Sequence, residues 1–100
     1  MIPISTTELP ALTFSEDTPK HDYHAQASKI GWMRATAKPG TTFDISIKDA
    51  LGREKAHKSN CLAAQGEFGE LINLPVMVGE NLSVEVSNIK GDKSVTLFLN

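Results

Sequence analysis

The chain has 100 residues, with ten lysines and arginines against twelve aspartates and glutamates, for a net charge of −2. That length makes one domain with a modest core, and 40% hydrophobic with 22% charged residues is the composition of a soluble globular protein. The near-neutral balance argues against a protein whose task is to hold nucleic acid. The single cysteine, Cys61, excludes an internal disulfide framework and a cysteine-cluster zinc site.

Residues 1–27 differ from the rest. They hold Pro3, Pro10 and Pro19, many hydroxyl residues, and the apolar Leu9, Leu12 and Phe14 without a sustained period. Prolines fix φ and remove ladder donors, so an extended N-terminal arm is predicted, with its apolar residues docked on something. The first residues have no basic n-region and no continuous apolar run, so no signal peptide is expected. Nowhere does an apolar run approach the ~20 residues of a membrane helix, and no membrane partner is expected.

A β-domain is predicted over 28–100. Lys29 to Ala37 alternates as a strand, with Ile30 and Trp32 expected to face inward. Lys38-Pro39-Gly40 carries turn chemistry. Thr42 to Lys48 is the cleanest strand of the first half, with Phe43, Ile45 and Ile47 on one side. Asp49-Ala50-Leu51-Gly52 has the residues of a hairpin turn with a bulge. A short, charged edge strand should follow over Arg53 to Lys58. Ser59 to Gly66 reads as loop. Phe68 to Val78 reads as a strand broken at Pro75, a residue that favours an edge or a crossover. Leu82, Val84 and Val86, then Val95, Leu97 and Leu99, alternate on either side of Ile89-Lys90-Gly91-Asp92-Lys93. This reads as a closing β-hairpin. No useful helix is supported, and about seven short strands point to an all-β fold. The expectation is a single antiparallel β-sandwich, jelly-roll or immunoglobulin-like.

Candidate chemistry is sparse. His21 and His24 are three apart near Asp22, but Pro19 and the poor helical context favour a solvated loop over a metal site. His57 sits among charges, and no serine lies in a recognisable nucleophile elbow. Asp44, Asp49, Glu67, Glu70 and Glu80 are too scattered for a calcium loop. The glycines precede no helix start that could cradle a phosphate. No catalytic residue, metal site or cofactor is therefore expected. Phe98 is the outlying aromatic: with Val95, Leu97 and Leu99 inward it must face outward, where cover would contribute ~1.5–3 kcal/mol.

The stretch FDISIKDALGREKA leading into LINLPVMVGENLSVEVSNIKGDKSVTLFLN resembles small jelly-roll or immunoglobulin-like sandwich modules. Among these it is similar in pattern to the small virion decoration (cement) proteins of tailed phages. That resemblance implies a structural protein bound to a capsid or other virion protein, most simply a trimer, made in the host cytoplasm and carried on the virion. Leu9, Leu12, Phe14 and Phe98 are the interface residues expected on this reading. Removal of residues 1–20 should leave a folded domain that no longer assembles. The alternative is a carbohydrate-binding β-sandwich module that uses Trp32, Tyr23 or His57.

Overall fold

The computed structural model describes residues 11–99, and all regular structure among them is β-strand. The eight strands are β1 (Ala11–Ser15), β2 (Lys20–His24), β3 (Lys29–Thr36), β4 (Thr41–Lys48), β5 (Glu54–Ala63), β6 (Glu67–Pro75), β7 (Asn81–Lys90) and β8 (Ser94–Leu99). Sheet A has the order β1-β8-β3-β6 and sheet B the order β2-β7-β4-β5, and every pairing is antiparallel. Apart from the β4–β5 hairpin, each connection carries the chain from one sheet to the other. Eight strands wound this way make a jelly roll, which settles the choice left open against an immunoglobulin-like sandwich.

Three expectations change with this topology. The predicted closing hairpin is an arch: β7 lies in sheet B and β8 in sheet A, so the two strands face each other across the core. Alternation shows which side of a strand is buried, and an arch and a hairpin bury the same side. The predicted arm is also different. Residues 11–24 supply β1 and β2, one strand to each sheet, so the sandwich begins well before residue 28. Phe14 is fully buried and meets the His21 ring edge-on at 4.9 Å, while His21 Nε2 lies 2.5 Å from the Thr13 carbonyl. Removing residues 1–20 would therefore delete β1 and a core aromatic. Finally, β5 runs on through Ala63, so most of the expected 59–66 loop is strand.

The inner faces close over Phe14, Tyr23, Ile30, Met33, Phe43, Ile45, Ile47, Leu82, Val84, Val86, Val95, Leu97 and Leu99. Each belongs to a period-two run, which is why the sequence pattern finds most of them. Trp32 is the exception, at 50% exposed. Ile30 pairs with Leu74 but Trp32 with Leu71, so Gly31 alone opposes Ile72 and Asn73. This β-bulge slips the phase of β3, and Trp32 emerges on the outer face although Ile30 points in.

Bulges recur at asparagines. Asn60, Asn73 and Asn88 all have positive φ, a conformation that Asn tolerates better than other side-chain-bearing residues. Two of them flank β4, where Asp44 holds both. Its carboxylate accepts from the Asn60 amide at 2.8 Å and from Asn88 Nδ2 at 2.6 Å. Those two bonds, the Asn60 amide first, keep the Asp44 carboxyl below its ordinary pKa. The open sides of the sandwich are joined across the sheets: Lys58 of β5 reaches Glu70 of β6 at 2.7 Å, and His21 ties β2 to β1.

Candidate interaction surface

One end of the sandwich gathers the β2–β3 connection (25–28), the β4–β5 turn (49–53) and the β6–β7 turn (76–80). Hydrogen bonds hold these together: Val76 N–H to the Ser28 carbonyl at 2.9 Å, Gly79 N–H to Ala25 O at 2.7 Å, and Ala25 N–H to Glu80 O at 2.9 Å. In the β4–β5 turn the buried Asp49 is the organiser. Its Oδ1 accepts from the backbone amides of Leu51 and Arg53, each at 2.9 Å, and its Oδ2 accepts from Arg53 Nε at 2.9 Å. The Arg53 amide, then the guanidinium and the Leu51 amide, hold the Asp49 carboxyl below its usual range despite some desolvation. Glu80 does the same for its own turn. It accepts from the Met77 amide at 3.0 Å and pairs with Lys55 at 3.3 Å, and both lower its pKa, the amide first.

These polar residues turn inward onto the backbone, and the tips carry Leu51, Met77 and Val78, which are 78%, 74% and 70% exposed. The usual division of labour, polar side chains outward at a turn, is reversed here. Each tip is also held by several bonds, so the apolar groups stand out from a fixed backbone. The sequence places both turns, yet these three residues were not singled out. The usable signal was large apolar residues inside stretches whose neighbours, Asp49, Gly52, Gly79 and Glu80, already have turn chemistry.

A second apolar area lies on the outer face of sheet A. Trp32 and Leu71 are cross-strand partners, both about half exposed. In the next outer row Ala11, Phe98, Arg34 and Gly69 lie side by side across β1, β8, β3 and β6. Gly69 has open space where a side chain would stand. Arg34 reaches Glu67 at 3.3 Å, an exposed pair worth little to stability. The four residues expected at an interface thus separate. Phe98 faces outward, half-buried in this row, as its parity predicts. Leu12 packs partly buried against the core, and Phe14 is inside it and unavailable to a partner. Leu9 lies outside the described residues.

The remaining chemistry-bearing groups do not converge. Among the described residues no three of His, Cys, Asp and Glu stand close enough to hold a metal. Asp22 and His24 project from β2, while Tyr23 between them is buried, so the expected solvated loop is a strand. Burial pushes the Cys61 thiol up to about 11, which leaves it protonated at neutral pH. On β5, Glu54 Oε1 lies 3.2 Å from His57 Nδ1, and His57 Nε2 lies 2.8 Å from Ser59 Oγ. This acid–histidine–serine chain lies on an open strand surface. The backbone amide that follows the serine, Asn60 N–H, is already donated to Asp44. An acyl-transfer site needs free donors at that position.

No family model matches the chain, and no curated protein matches its sequence at a significant level.

Proposed function

We propose that this chain is a non-enzymatic structural protein that seats on a larger assembly, as decoration (cement) proteins seat on the shell of a tailed phage. On this reading it is a homotrimer of the virion, made in the host cytoplasm, and needs no cofactor, nucleic acid or membrane. The observation that carries the reading is the pair of pinned turns presenting Leu51, Met77 and Val78. A fixed backbone lowers the ordering cost of binding, and a small apolar contact becomes effective when several linked copies engage at once. The jelly roll is compatible with this role by analogy only, since the same architecture serves capsid proteins and lectins.

The test is co-sedimentation with shells of the phage that encodes the chain. The triple variant Leu51→Ser, Met77→Ser, Val78→Ser should keep its fold, because these side chains are exposed, and bind at least ~10-fold more weakly. Undiminished binding by the variant would remove the rim from the reading. Failure of the unaltered protein to bind would remove the reading itself.

The carbohydrate-binding alternative gains one observation. Trp32 is half exposed beside the Arg34–Glu67 pair, an apolar ring with polar neighbours of the kind that stacks on a sugar. Saturable change of Trp32 emission on titration with glycans would favour it, and silence across a glycan array would dismiss it.

A further inference from the structure

The Trp32–Leu71 pair and Phe98 form an apolar area on sheet A that no described residue covers. The described chain starts at Ala11, beside Phe98 in the outer row of that same sheet. Ten residues, Met1 to Pro10, lead into it, and their sequence is MIPISTTELP. Glu8 is their only charged side chain, and Ile2 and Ile4 share one side of an extended segment, two residues apart.

Direction decides where those residues can go. β8 ends at Leu99 opposite Met33, so β1, traced backward through Ala11, heads toward the end of the sandwich where Trp32 lies. Trp32 belongs to β3, two strands across from β1. To cover it in its own sheet, the segment must turn back sideways at once. Pro10 opposes that turn, because its φ is fixed and it holds Leu9 to extended backbone. Pro3 stiffens the far end in the same way. Nine residues in extended form reach about 30 Å, well beyond the roughly 14 Å width of a four-stranded sheet. The segment is therefore built to leave its own sandwich.

We infer that residues Met1–Leu9 of one copy lie across the outer face of sheet A of a second copy, with Ile2 and Ile4 packed on Trp32 and Leu71. The open space over Gly69 admits a passing backbone, and Arg34 and Lys29 on β3 suit the single negative charge of Glu8. The occupant is a second copy of this chain, and the inference stands independently of any shell.

The test uses the full chain with Cys61→Ala, so that introduced thiols are the only ones. Chains with Ile4→Cys are mixed with differently tagged chains with Leu71→Cys, and disulfides form under mild oxidation. The expected product is a covalent pair containing both tags. A chain carrying both substitutions that closes only on itself, or the absence of any cross-link, would overturn the inference. A second measurement covers the possibility that the cysteine variants fold poorly. By light scattering at tens of micromolar the unaltered protein should be an oligomer. The full-length Ile2→Asp, Ile4→Asp variant should fall to the monomer mass, with Trp32 emission shifted to the red. A monomeric unaltered protein, or a variant that keeps its mass and emission, would equally overturn it. The rim triple variant should keep the oligomer, which separates this outcome from that of shell binding.

Discussion

Phe14 and Phe98 are of one residue type and lie in neighbouring paired strands, yet only the fold separates their roles. Phe14 has no exposed surface, so Phe14→Ala should cost about 3–5 kcal/mol through lost burial and the cavity left behind. Phe98→Ala, on a half-covered outer face, should cost about 1 kcal/mol. Urea denaturation of the two variants measures the difference, and equal losses would refute the assignment of faces. Asp49 supports a pH prediction. Its carboxyl, like those of Asp44, Glu80 and Asp92, titrates below its ordinary value in the folded state because amide donors favour the anion. A depressed folded pKa contributes stability above the unfolded value near 4, and that stability is lost as pH falls from there toward the folded pKa. The thermal midpoint should therefore hold near neutrality and drop below about pH 4. Asp49→Asn should melt lower at pH 7, with the gap to the unaltered protein narrowing in acid. A gap independent of pH would mean that the charge has no part in it.

At the scale of elements, β1 is the strand whose role sequence reading misjudged. A five-residue edge strand preceded and followed by proline-containing stretches has too few alternations to distinguish from an arm. What identifies it is its pairing with β8, some eighty residues later in the chain. A chain beginning at Ala11 keeps both sheets and should unfold cooperatively. A chain beginning at His21 lacks β1 and Phe14 and should lose cooperative unfolding or fail to fold. Circular dichroism during thermal melting checks both, and a cooperative melt of the shorter chain near that of the full protein would contradict the placement. Trp32 teaches a related lesson. Perfect alternation through Ile30 and Trp32 would put both inward, but the bulge at Gly31 lies partly in the partner strand, where Asn73 takes positive φ. Nothing local to β3 announces it.

The whole molecule is held by contacts distant in sequence: β1 with β8, β2 with β7, and β3 with β6 and β8. Loop-closure entropy must be met before such pairings contribute, so refolding should take on the order of milliseconds to seconds rather than microseconds. Stopped-flow dilution from urea, followed by Trp32 fluorescence, gives the rate. A microsecond phase carrying the full amplitude would be inconsistent with this topology. The same winding brings residues 25–28, 49–53 and 76–80 to one end, where three apolar tips gather from turns far apart in the chain.

The sequence by itself determined the all-β class, the sandwich, the β4–β5 hairpin, the edge position of β6 and the outward direction of Phe98. Each of these depends on period-two burial or on turn chemistry, which are written into neighbouring residues. Only the tertiary structure decided that the strands at 82–99 form an arch, that β1 and β2 belong to the core, that Trp32 lies outside, and that Leu51, Met77 and Val78 share a rim. Those outcomes depend on which strands pair across the chain. Alternation does not encode the partner, because a buried side looks the same whatever sheet it closes.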